Sequence, residues 1–222
     1  MAISLINHVL AQSANANSGC TTASKDFSGA NLIVAIQVNF TTLQTVSDNQ
    51  GNTYSYLTSQ TAGGVLVRIA YVLNPTVSSS HTVTSAAATA VYGSLAVAAF
   101  SGVDSYDTHQ NGGTTVSATS LATGSSGTPS ADGALIFCGA GDAWTGTLTV
   151  DASQTILDFS GLIGGAAFAV GSAYEIQGTA TARNPTLSWD GGAARAEAVI
   201  GVFKAAAGGA APESLLMLLG IT

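Results

Sequence analysis

Between residues 3 and 204 the chain is punctuated: runs of five to ten β-branched, aromatic and small apolar residues alternate with clusters of Gly, Asn, Asp, Ser or Pro. Such runs fit a pleated, half-buried surface, and evenly spaced turns between them are the pattern of an all-β sandwich or barrel. The runs predicted as strands are 3–10, 31–40, 53–59, 65–73, 81–85, 94–100, 114–121, 134–139, 166–176, 185–189 and 197–204. Alternation is clearest where Val65, Val67, Ile69 and Tyr71 share one face and Arg68 takes the other. No segment before residue 206 combines a helical period with caps. The fold expected is therefore an antiparallel, jelly-roll-like β-sandwich.

The two halves also superpose on one another. At an offset of 103 positions Ala30–Ile33 falls on Gly133–Ile136, Asp48 on Asp151, Ala70-Tyr71 on Ala173-Tyr174 and Phe100 on Phe203. An internal duplication of about 100 residues explains one gapless offset for all four landmarks. The expected organisation is one sandwich over residues 1–205, each half supplying about five strands, with two separate domains as the alternative. Residues 206–222 follow as an Ala/Gly-rich spacer and an apolar tail.

Composition narrows the function classes. Charged residues make up 8% of the 222 and the mean hydropathy is +0.39, which argues against a charge-rich disordered chain. Five basic against twelve acidic residues leave no basic cluster to release counterions from a nucleic acid. No apolar run reaches 18 residues: 90–100, the longest candidate, is broken at Tyr92, Gly93 and Ser94. The N-terminus has a signal-like Ala-x-Ala pattern but no basic region, and Asn7 and His8 interrupt its apolar stretch. It reads as a strand, so neither a leader, a membrane nor a nucleic acid is expected.

Catalytic signatures are weak. Asp48-Asn49-Gln50-Gly51-Asn52 gathers oxygen ligands suited to calcium, yet it lacks the spacing and the distant bidentate Glu of an EF-hand and reads better as a turn. Asp104, Asp107 and His109 lie close in sequence without a partner that completes a metal or proton-transfer site. No nucleophile elbow, zinc spacing, Walker loop or dinucleotide fingerprint occurs. Cys20 and Cys138 read as small buried thiols, with one long-range disulfide as the alternative. No enzyme activity and no cofactor are expected. Trp144, Trp189, Tyr54, Tyr56 and Tyr106 are the candidate aromatic platforms for a glycan, of which Trp189 alternates with Leu187 toward a core while Trp144 lies in a Gly-rich loop.

The phrases SGANLIVAI, VSDNQGNTY, RIAYVLNPTVSSSHTVT, LAVAAFSGV, QNG, GTPSADGALIF, ARNPTLSW and AVIGVFK, spread over about residues 20–205, resemble a β-sandwich module of bacterial secreted proteins and phage structural proteins, jelly-roll or immunoglobulin-like in appearance. The resemblance implies a fold and a context and brings no catalytic residues with it. With no leader in view, it implies a virion subunit made in the host cytoplasm, most simply a head decoration or cement protein, otherwise a neck or tail accessory. The partners it implies are further copies of the chain, a trimer among the options, and other virion proteins such as a major capsid protein. Ile3 and Leu5 in the first strand and Leu215, Leu216, Met217, Leu218 and Leu219 in the tail are the expected inter-subunit contacts, because five large apolar residues in a row are costly to leave in water; packing of the tail back onto its own sandwich is the alternative. A carbohydrate-binding or adhesive module, with or without calcium, is the alternative from a different class, and a jelly-roll hydrolase is third.

Overall fold

The structure, a computed structural model, describes residues 2–13, 19–40, 44–86, 92–110, 112–151, 153–164 and 167–207. It is all-β and antiparallel throughout. The first half contains β1 (Ser4–Gln12), β2 (Cys20–Thr21), β3 (Leu32–Phe40), β4 (Val46–Asp48), β5 (Ser55–Tyr56), β6 (Gln60–Ala62), β7 (Val65–Leu73), β8 (Val83–Ser85) and β9 (Gly93–Ser101). The second contains β10 (Val103–Gln110), β11 (Thr114–Ala118), β12 (Ser120–Ala122), β13 (Leu135–Asp142), β14 (Leu148–Val150), β15 (Thr155–Ser160), β16 (Ala169–Ile176), β17 (Thr186–Trp189) and β18 (Ala194–Ala205).

Each half builds a large and a small sheet, with the chain crossing between them in jelly-roll fashion. In the first half the large sheet runs β1-β9-β3-β7-β5, with β6 also on β7, and the small one β2-β8-β4. The second half repeats this as β10-β18-β13-β16-β15, with β11 also on β18, and β12-β17-β14. Equivalent registers bear out the repeat: Leu5 pairs with Phe100 as Tyr106 does with Phe203, and His8 opposes Ala98 as His109 opposes Gly201.

The layering goes beyond a single two-sheet sandwich. Strands β3, β9, β13, β16 and β18 are buried on both faces over most of their length, so their apolar runs are nearly continuous rather than alternating. One face of each large sheet covers its own small sheet: Ile33, Ala35, Leu95 and Val97 pack with Cys20, Val46 and Val83 in the first half, and Ala140 and Ala198 with Leu148, Leu187 and Trp189 in the second. The other faces meet each other. There Val34, Ile36, Val38, Val67, Ile69 and Phe100 pack with Leu135, Phe137, Val170, Val199 and Phe203. The four layers thus run small, large, large, small.

The two large sheets meet about a pseudo-two-fold axis lying along the strands. Strand β3 faces its own equivalent β13, while β9 faces β16 and β7 faces β18. Close approach at the axis depends on unequal residues at equivalent positions. Where β3 carries Ile36 and Val38, β13 carries Gly139 and Gly141, and a Cβ on either glycine would run into the side chain opposite. Two identical copies of either half would set bulk against bulk or hole against hole; only unlike halves interdigitate.

The strands missed from sequence are β2, β4, β6, β10, β14 and β15: four are only two or three residues long, β10 is a polar Val-Asp-Ser-Tyr-Asp-Thr-His-Gln run, and β15 mixes Ile156, Leu157 and Phe159 with Thr, Asp and Ser. Ile3 and Leu5 belong to the inter-half core, Ile3 buried in it and Leu5 packed against it. Ile3 is therefore engaged within its own chain, while Leu5 keeps part of its side chain at the surface. Residues Leu215, Leu216, Met217, Leu218 and Leu219 lie outside the described residues.

Candidate carboxyl site beside the pseudo-two-fold axis

Among charged groups, Asp142, Arg195 and Glu197 form the most unusual cluster in the molecule. Strand alternation sends Arg195 and Glu197 to the same face of β18 as Val199, toward the inter-half core. Asp142 ends β13 with φ of 117°, a conformation an L-residue adopts only when its surroundings impose it. Its carboxylate takes two hydrogen bonds from the Arg195 guanidinium, Nε to Oδ2 and Nη2 to Oδ1, the latter at 2.9 Å. The Asp142 side chain is fully buried, and that of Arg195 is 31% exposed.

Glu197 is also fully buried, and neither of its carboxyl oxygens has a properly formed hydrogen bond. Burial pushes this carboxyl up to about 9; the nearby Asp142 charge adds to the effect and Arg195 opposes it. Burial likewise raises Asp142, against the hydrogen bonds from Arg195. The pair is best described as one carboxylate held by Arg195 beside one neutral acid at neutral pH, because burying a second charge without a counter-ion costs far more than keeping the proton.

The cluster also reaches across to the first half. The β6–β7 turn contains Gly63 and Gly64, both with positive φ, and a Cβ on Gly63 would overlap the Arg195 guanidinium. Arg195 thus lies flat against bare backbone of the other half, an approach no side-chain-bearing residue at 63 would permit.

Little pointed to this site in the sequence. The signal available was charge beside apolar runs: Gly-Ala-Gly-Asp in β13 and Arg-x-Glu at period two in β18, where the repeat offset makes Asn39 and Ser94 the equivalents of Asp142 and Glu197.

The residues singled out from sequence are placed as follows. Trp144 is wholly buried, stacked on Trp189 with ring centroids 6.4 Å apart, so it presents no face to a glycan and that assignment is corrected. Tyr106 is half-buried, stacked on Tyr71 at 5.8 Å, and its hydroxyl meets His109 Nδ1. His109 Nε2 lies 3.2 Å from Thr58 Oγ1, across the boundary between the halves. Asp104 and Asp107 do not join it: Asp107 accepts from the Ser130 amide and hydroxyl and lies 3.8 Å from Lys204, and Asp104 accepts from Ser105.

The Asp48 loop is a turn with its carboxylate turned inward. Oδ1 accepts from the Gln50 and Asn52 amides, and Oδ2 from Asn52 Nδ2 and the Tyr54 hydroxyl, with buried His81 Nε2 at 3.2 Å. Burial raises this carboxyl, and its hydrogen bonds outweigh that and leave it below its ordinary value. With its oxygens so occupied, Asp48 is engaged in holding the turn. Cys20 and Cys138 are free and buried in different cores, and burial pushes both thiols up to about 12, far from the range of a reactive thiolate. No group of three or more metal-ligating side chains occurs among the described residues.

Compared with known proteins, the chain matches no protein-family model, no curated protein and no solved structure.

Proposed function

We propose that this chain is a structural subunit of a phage virion, most simply a head decoration or cement protein, that acts through contacts between subunits. The observation that carries this reading is the apolar run Leu215–Leu219 behind an Ala/Gly-rich spacer, attached to a body whose central strands are already covered on both faces. Five large apolar residues in a row favour burial, and a second molecule is the partner this reading assigns them. The flank formed by β1 and β15 adds exposed Ile6 and Phe159, beside the link from His8 to Asp158 at 2.6 Å. Scarce surface charge limits repulsion between closely packed copies.

Light scattering on the purified protein, with and without residues 206–222, tests the reading. A multimer that dissociates on truncation while the body stays folded supports it, as does loss of incorporation into particles. A monomer in both forms overturns it. For the glycan-binding alternative, Trp144, Trp189 and Tyr54 are buried, and Tyr56 and Tyr106 are half-buried.

A further inference from the structure

The buried carboxyl pair has no counterpart in the other half, and three independent features meet in it. Glu197 is a buried acid packed against the Asp142 carboxyl and the Ala62 amide, with neither oxygen in a well-formed hydrogen bond. Asp142 is held at a positive φ. Arg195, bidentate on Asp142, fills the space that a Cβ on Gly63 of the opposite half would take. A buried carboxyl without well-formed hydrogen bonds is costly in either protonation state and far more so when charged, so its presence at a boundary between packed units calls for a role at that boundary.

We propose that Asp142, Glu197 and Arg195 form a proton-operated latch that closes the β6–β7 turn onto the second half. With Glu197 neutral, the two carboxyls sit side by side and Arg195 remains bidentate on Asp142, pinned beneath Gly63. With Glu197 ionised, two buried carboxylates repel each other beside a single guanidinium, and the cluster opens to water where the β6–β7 turn covers it. Asp142 from β13 and Arg195 from β18 are the titratable groups that act on Glu197; β6 and β11, which also pack there, contribute Gln60, Thr61, Ala62 and Thr114–Ala118, none of which titrates. On β7, Arg68 is turned to the opposite face, toward Gln37 and the Tyr56 ring.

The sign of the linkage follows from the direction of the shift. Glu197 is raised from 4.5 to about 9 in the folded chain, so its contribution to stability is complete below about 4.5 and is lost as pH climbs to about 9. One proton is worth about a tenfold fall in the folding constant per pH unit inside that window.

The test uses the full chain with 13C-labelled glutamate carboxyls, where Glu175, Glu197 and Glu213 are the three signals. Each carboxyl is titrated from pH 4 to 10 alongside urea stability and the amide protection of Gly63 and Gly64, corrected for intrinsic exchange. The proposal expects one carboxyl titrating far above the others, turn protection falling at the same midpoint, and Glu197→Gln retaining protection with the stability slope reduced by about one proton. Titration of Glu197 in the ordinary carboxylate range overturns it. So does turn protection that ignores the Glu197 midpoint, and so does ionisation at neutral pH induced by added Ca2+, which would make the pair a cation site. Should the Gln variant fail to fold, the wild-type titration and protection profiles decide alone.

Discussion

The two flanks of the pseudo-two-fold axis use equivalent positions in opposite ways. On one flank Tyr92 packs edge-on against Phe168 at 5.6 Å, Ser94 Oγ donates to the Phe168 carbonyl at 2.7 Å, and Asn39 stands nearby as a neutral amide. On the other flank the corresponding residues are Arg195, Glu197 and Asp142. Both flanks join one half to a β-turn region of the other, so geometry is shared and only the chemistry differs. The neutral flank achieves its contact with an aromatic pair and one hydrogen bond. The charged flank must desolvate ions, and a buried ion pair seldom adds net stability over a well-packed apolar replacement. What it adds is a sensitivity to pH that the neutral flank lacks.

The comparison breaks most severely at Arg195. Arg195→Ala leaves the Asp142 carboxylate buried without its cation and should cost about 3–5 kcal/mol in urea unfolding, whereas Tyr92→Ala, which removes only packing, should cost less. Next come the glycines at the axis. Gly141→Ala sets a Cβ against Val38 and should cost about 1–3 kcal/mol, and Val38→Ala in the same chain should recover part of that loss, a coupling measurable in a double-mutant cycle. On the neutral flank Ser94→Ala removes a single hydrogen bond and should cost about 1 kcal/mol, with no change in the pH slope of stability. The smallest effect belongs to the outer edges, where His8 meets Asp158 and its repeat equivalent His109 meets Thr58. His8→Ala should shift stability by under about 1 kcal/mol, because the pair is partly exposed. A loss at His8 larger than that at Ser94 would reverse the ranking and make the edges, not the axis, the principal join.

Much of this architecture is legible in the residues. Val65–Leu73 is a strand over the same nine residues as read from its alternation, with Arg68 on the face opposite Val67 and Ile69. The repeat offset places Phe100 and Phe203 in one shared core. The candidate site was not legible, because Asp142, Arg195 and Glu197 come from two strands more than fifty residues apart and match no motif. Trp144 misled for the opposite reason: its Gly-rich surroundings suggest an exposed loop, while stacking on Trp189 draws the ring inside.

The sequence by itself therefore determined what is local or periodic: the positions of the long apolar strands, their inward and outward faces, the turn at Asp48, and the equivalence of the two halves. These follow from side-chain shape and a two-residue period, which act over a few residues at a time. Only the tertiary structure decided that the large sheets meet face to face in four layers, that Ile36 and Val38 seat over Gly139 and Gly141, and that three charges are enclosed beside the axis. Those outcomes depend on which surfaces meet across the whole chain, where burial sets the cost of every charge and the fit of every side chain, and no local pattern records that choice.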